Sequence, residues 1–165
     1  MMARKIWFVP LLCVIMLFSG CASESETLVS SPPEESGAQG YETAEENMVI
    51  VSCNGMSAEL TLAAGEAAQA LYARLREGAL VITGSDYGGF EKVCALGFFL
   101  PDSDEWIRTQ PGDVMLYQGN RIVFFYGSNS WAYTRLGYID ASEQELRRLL
   151  CAGEDMAEIT LCLKV

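Results

Sequence analysis

The segment Gln110–Gly137, QPGDVMLYQGNRIVFFYGSNSWAYTRLG, leaves few architectures open to this chain. Val114–Gln118 and Arg121–Tyr126 are rich in β-branched and aromatic residues and flank Gly119-Asn120, which predicts a tight hairpin. An aromatic loop follows and leads into a further strand, Ala132–Ile139. Met48–Cys53 and Met56–Leu62 flank Asn54-Gly55, the strongest short-range turn dipeptide, and predict a second hairpin. In its second arm Met56, Ala58, Leu60 and Leu62 share one face, while Ser57, Glu59 and Thr61 share the other.

The remaining pattern extends this β-rich reading. Ala79–Thr83 and Lys92–Leu100 are expected as strands separated by GSDYGGF, and Pro101–Thr109 as a loop. Glu158–Val165 alternates strictly, with Ile159, Leu161, Leu163 and Val165 on the apolar face. Two helices are expected. Glu66–Glu77 carries Ala67, Leu71 and Leu75 at helical spacing and ends toward Gly78. Ser142-Glu-Gln-Glu145 is a capping box that opens the second, with Leu146, Leu149 and Leu150 inward and a stop around Ala152-Gly153. About eight strands and two short helices in residues 47–165 fit a mainly β, closed barrel, which leaves no exposed sheet edge.

Residues 1–46 have a different character. Arg4 and Lys5 precede an apolar run, Ile6–Phe18, and then Ser19-Gly20-Cys21, the pattern of an export signal. The run of 13 residues is shorter than the roughly 20 a mature membrane helix needs. Phe18-Ser19-Gly20-Cys21 resembles the lipobox of bacterial lipoproteins, with Phe where Leu is usual. The resemblance implies removal of residues 1–20 and acylation of Cys21 (diacylglycerol on the thiol, then commonly a palmitate-type amide). Two or more acyl chains give stable anchoring. The expected location is the outer face of the bacterial cytoplasmic membrane, or the periplasm where an outer membrane exists.

From Cys21 to Glu46 the chain reads as an acidic flexible linker. Ala22–Glu46 holds seven Glu and neither Lys nor Arg, too little apolar surface to offset ordering. As a coil it would reach on the order of 25–30 Å. Residues 47–165 carry 15 acidic and 9 basic residues, a net charge of −6. Nucleic acid is excluded as a partner, because it requires clustered Lys and Arg. Cys53, Cys94, Cys151 and Cys162 remain in the barrel region; three pairings are open, as is the state of four unpaired thiols. Their spacing matches no zinc template, and the chain contains no histidine, so neither a metal nor another cofactor is expected.

SDYGGFEKV (Ser85–Val93), QPGD, LYQGN, FYGSNSW and YTRLG together closely resemble the bacterial cyclophilin-like domain family over nearly all of residues 47–165. The resemblance implies an eight-stranded barrel with a helix over each end; the family as a group has no settled biochemical role. True cyclophilins isomerise prolyl bonds with an arginine on the third strand, an aromatic-lined proline pocket, a glutamine, a tryptophan and a histidine. Phe124-Phe125 matches the family's Phe-Phe strand, Trp131 falls where the tryptophan does, and Leu136-Gly137 matches the strand that follows. The segment between Trp131 and Leu136 is shorter, and Ala79–Thr83 holds no arginine. That cation matters, since amide resonance sets a barrier of about 18–20 kcal/mol that a guanidinium at the imide nitrogen would weaken. Arg121 and Arg135 are the substitutes available from other strands.

The candidate ligand set is Tyr87, Phe90, Glu91, Tyr117, Phe124, Phe125, Trp131 and Arg135. Around Gly88-Gly89, Tyr87, Phe90, Glu91 and Lys92 would set an aromatic and a carboxylate at a cleft mouth; the competing reading is a glycine turn with aromatics covering a barrel end. Tyr117, Tyr126, Trp131 and Tyr133 with Arg135 would form an aromatic surface with a cation, against a reading as core and cap. GSDYGG lacks the Gly-Lys-Ser/Thr end of a phosphate loop. Asp102, Asp104 and Glu105 lack EF-hand spacing and are expected as a solvated acidic loop. Ser128 and Ser130 have no histidine to activate them. No catalytic residue is assigned. The expectation is a lipid-anchored module that binds a peptide or small molecule; the alternatives are a weak prolyl isomerase acting on exported proteins and an accessory subunit of a membrane redox or transport complex.

Overall fold

A computed structural model describes residues 48–164. Strand β1 (Met48–Cys53) and β2 (Met56–Leu62) form the first hairpin, in register from Met48↔Thr61 to Cys53↔Met56. Asn54 and Gly55 both take positive φ, +48° and +76°, as a two-residue hairpin turn requires. After α1 (Glu66–Leu75) come β3 (Leu80–Tyr87), β4 (Glu91–Ala95), β5 (Glu105–Arg108), β6 (Asp113–Tyr117), β7 (Arg121–Phe125) and β8 (Ser130–Ile139). Helix α2 (Glu143–Leu149) and β9 (Ala157–Leu163) complete the order.

Eight strands form a closed antiparallel ring in the order β2-β1-β9-β3-β4-β7-β6-β8, sealed where β8 returns to β2 through Leu60↔Ile139 and Leu62↔Gly137. The expected barrel is therefore present. A Cβ on Gly137 would meet the Thr61 carbonyl at this seam, so the two backbones approach more closely there than a side chain allows. Alternation fills the interior with Val49, Val51, Leu60, Ile82, Leu116, Ile122, Phe124, Leu136, Ile159 and Leu161. Helix α1 adds Ala67, Ala68, Leu71 and Leu75 at the end where β2 finishes and β3 begins. Helix α2 adds Leu146 and Leu149 at the end where β8 finishes and β9 begins. Its capping box forms: Glu145 N donates to Ser142 Oγ at 3.3 Å, and Ser142 N donates to Glu145 Oε2 at 2.9 Å.

Several boundaries differ from the sequence reading. Glu105–Arg108, expected within a loop, is strand β5, which lies outside the ring and pairs with the first half of β8. Strand β3 runs on through Ser85, Asp86 and Tyr87, because β4 supplies partners for those polar residues. Strand β4 stops at Ala95 instead of Leu100: Gly97 takes φ +80°, and the amides of Leu96 and Leu100 donate to Asn120 O and Gly119 O, binding that segment to the turn of the β6–β7 hairpin. Gln118, at φ +51°, belongs to that turn and not to β6. Helix α1 ends at Leu75, short of Glu77, and α2 at Leu149, short of Ala152. Val165, Cys21, the export segment and the linker lie outside the described residues. Among the described residues no helix is long and apolar enough to cross a membrane.

Candidate functional site

Because neighbours on a strand face opposite ways, β4 sends Lys92 and Cys94 inward and Glu91 and Val93 outward. The same rule splits the Phe-Phe pair of β7: Phe124 joins the interior, and Phe125 the outer face. On that outer face Met115, Val123, Phe125 and Tyr133 make a second, smaller core, packed by Phe90, Val93, Ile107 and Tyr117. Above it opens a cleft of about 1060 Å³, lined by Tyr87, Phe90, Glu91, Val93, Tyr117, Gln118, Arg121, Asn129, Trp131 and Tyr133, with Ser85 and Asp86 along β3. A second depression, about 790 Å³ between β2 and α2, is lined by Met56, Glu59, Asp140, Glu145 and Arg148 and holds no aromatic residue.

Tyr133 is the hub of the cleft. Its ring meets Phe125 edge-on at 5.5 Å and Tyr117 at 6.0 Å between centroids. Asn129 Nδ2 donates to Tyr133 Oη at 3.2 Å, and Tyr133 Oη donates to Glu91 Oε2 at 3.5 Å, a long and weak bond. Glu91 is only 5% exposed. Burial pushes its carboxyl up to about 7, against the pull of the Tyr133 hydrogen bond. The Tyr133 phenol is pushed up to about 12, by burial first and by the adjacent Glu91 charge second.

The turn that delivers Phe90 and Glu91 is held from three sides. Gly88 and Gly89 take positive φ. The amides of Tyr126 and Gly127 donate to Phe90 O at 3.0 and 2.9 Å, and Tyr126 Oη donates to Glu91 O at 3.1 Å. From α2, Arg147 donates to Gly89 O at 3.1 Å and stacks 4.9 Å from the Tyr126 ring centroid. At the opposite rim Trp131, 51% exposed, leans on Trp106, 72% exposed, with centroids 5.8 Å apart. Trp106 is carried there by strand β5.

Of the expected ligand set, Tyr87, Phe90, Glu91, Tyr117 and Trp131 converge on the cleft, and Phe125 lies beneath its floor. Phe124 does not reach it, being fully buried inside the barrel. Nor does Arg135, whose Nη1 donates to the buried Asp113 at 2.9 Å while Asp113 Oδ2 accepts from Gln110 N at 3.0 Å. The cation that does line the cleft is Arg121, stacked 6.0 Å from the Tyr117 centroid and bonded to Gln118 Oε1 and Asn120 Oδ1. Lys92 is not at the mouth; it is wholly buried on the inner face, donating to Cys151 O at 3.0 Å and Glu154 O at 2.5 Å. Asn129 and Gln118 were not singled out as ligand residues; Tyr133, read with Tyr126 and Arg135 as part of an aromatic surface, does line the cleft, whereas Tyr126 is fully buried.

Asp104 is not merely solvated, since it accepts from Thr134 Oγ1 at 2.7 Å. Cys53, Cys94, Cys151 and Cys162 are free thiols, with Cys53 Sγ and Cys151 Sγ 3.5 Å apart. Burial pushes Cys53 up to about 11 and Cys94 up to about 12. Among the described residues no group of three or more Cys, Asp or Glu is placed to hold a metal ion.

Comparison with known proteins places these features in context. A family model described as the cyclophilin-like family matches residues 51–161. No curated protein matches the chain. Among solved structures, the solution structure of a hypothetical protein from Archaeoglobus fulgidus is similar, at 15% identity and a TM-score of 0.55, covering 74% of this chain and 98% of that one. At that identity the likeness is one of fold.

Proposed function

This chain belongs to the cyclophilin-like family, and on that premise we propose that its barrel is a binding module for a peptide segment or small molecule, tethered by lipid to the outer face of a bacterial membrane. The observation that supports the binding role is the aromatic cleft on the outer sheet face. It is concave, with apolar and polar lining in similar measure, and its polar groups include Glu91, Tyr133, Asn129, Gln118 and Arg121. Strand β3 contributes Ser85, Asp86 and Tyr87 to it and no arginine, so that strand offers no guanidinium to weaken a prolyl amide.

Arg121 gives the isomerase reading its one foothold, and a single experiment separates the two. The full chain, titrated calorimetrically with blocked proline-containing peptides, should bind saturably. Trp131→Ala should weaken binding about tenfold, as an aromatic anchor does. Isomerisation of the same peptides, which uncatalysed takes tens to hundreds of seconds, should proceed at the background rate. Robust acceleration that disappears in Arg121→Ala would replace the binding module with an enzyme.

The tether rests on Arg4, Lys5, the apolar run and Ser19-Gly20-Cys21. Mass spectrometry of the membrane fraction should find an acylated N-terminal Cys21, and Cys21→Ala should release or misprocess the protein. An unmodified N-terminus in the soluble fraction would remove the lipid anchor from the proposal.

A further inference from the structure

Glu91 is a buried carboxyl in an aromatic setting with almost nothing to balance it. Its side chain receives one hydrogen bond among the described residues, the long one from Tyr133, although a carboxylate offers acceptor sites for about four. The cation next to it in sequence cannot serve. Lys92 projects through the other face of the sheet, donates to Cys151 O and Glu154 O, and lies 3.8 Å from the Asp86 carboxylate. Arg121 pairs with Ala95, four residues along β4 from Glu91, a backbone separation of about 13 Å at strand rise. Its guanidinium stacks on Tyr117 and bonds two side-chain amides there.

Aromatic rings share the cleft with Glu91: Tyr133, which bonds its carboxyl, Phe90, which precedes it, and Tyr87, Tyr117 and Trp131 along the lining. Such faces attract cations through the ring quadrupole, most strongly where water is displaced. A buried carboxyl within them is costly alone and is repaid by a charge that enters with a ligand. We infer that the cleft selects a ligand bearing a cationic group, an ammonium or guanidinium, which seats against the Glu91 carboxylate among these rings. The inference rests on the binding role proposed above and narrows it to a chemical class.

A pH signature follows. The cation needs the ionised form of Glu91, which becomes dominant as pH rises through about 7; affinity should climb over that interval and then level off. Below it, binding should take up charge by releasing a proton into buffer. The other ionisable groups that share the cleft with Glu91 are Tyr87 on β3, Tyr117 on β6, Arg121 on β7 and Tyr133 on β8; the Asp86 carboxylate sits beside Lys92, and Arg147 of α2 touches the preceding turn at Gly89 O.

The test uses the full chain and two blocked peptides that differ at one position, Ala-Lys-Pro-Phe and Ala-norleucine-Pro-Phe, with benzyltrimethylammonium as a small-molecule probe. Calorimetry at pH 8 should show the lysine peptide binding about tenfold more tightly than its norleucine partner. Glu91→Gln, which preserves shape, should erase that ratio and flatten the pH profile. Preference for benzyltrimethylammonium over the lysine peptide would assign the cation to a small molecule, and the reverse preference to a basic peptide; both sustain the inference. Equal affinity for the two peptides, or a ratio untouched by Glu91→Gln, overturns it and leaves the binding role standing. No binding by either peptide or by the ammonium overturns both. Should Glu91→Gln fail to fold, the pH series on the unmutated chain decides, a flat profile counting against the inference.

Discussion

Replacing Lys92 with methionine is expected to destabilise the domain by on the order of 3–5 kcal/mol. The side chain is completely buried and pins the segment after α2 to the barrel through the carbonyls of Cys151 and Glu154. Methionine fills similar space but donates nothing, so two carbonyls lose charged partners. It also strands Asp86, whose Oδ1 lies 3.8 Å from Lys92 Nζ and has no hydrogen bond of its own. Removing one member of a buried pair costs far more than removing both. Lys92→Met with Asp86→Asn should therefore recover part of the loss, although Gly153 N still needs its bond to Asp86 Oδ2. Urea denaturation with a shared slope measures both variants. A loss under about 1 kcal/mol for Lys92→Met would show that the buried ammonium contributes little net stability.

Leu161→Ala should cost roughly 2–5 kcal/mol, the range for truncating a fully buried leucine. Leu161 sits on β9 opposite Val51 of β1 and Leu80 of β3, so the cavity would open between three strands that cannot easily close upon it. Lys164, an odd number of residues away, lies on the other side; its pair with Glu59 is half exposed at both ends. Lys164→Ala should cost under about 0.5 kcal/mol. Equal denaturation midpoints for the two variants would mean that the inward phase assigned to β9 is wrong.

The contrast between these two residues was legible in the sequence, because strict alternation over β9 states which side chains face inward. The hairpin at Asn54-Gly55 and the capping box at Ser142 were legible for the same kind of reason: each is a local rule satisfied by adjacent residues. What escaped the sequence depends on partners far away along it. Strand β5 is a strand only because β8 offers it an edge, and nothing within EWIR alternates long enough to announce that. Assigning both Phe124 and Phe125 to a ligand surface ignored the alternation of β7, which allows one of them at most. Arg135 was plausible from its neighbours Tyr133 and Trp131, but its charge is taken up by Asp113, placed beside it by the β6–β8 pairing. That pairing also carries a register shift between Val114 and Met115, and side-chain parity across such a shift cannot be counted from one strand.

The position of β9 has a consequence for how the domain comes into being. This strand, the latest of the described elements in chain order, is seated between β1 and β3, two of the earliest. Until that strand arrives, β1 and β3 lack the partner they share, and the interior they border stays open to water. Local hairpins can form as they emerge, but the ring cannot close from one end to the other as a helical repeat would. Contacts between distant parts of a chain are slow to form and leave strand edges exposed meanwhile. Closure of the ring thus depends on Ala157–Leu163. A chain cut short before that strand would retain every residue of the aromatic cleft, yet lack the barrel that holds them in place.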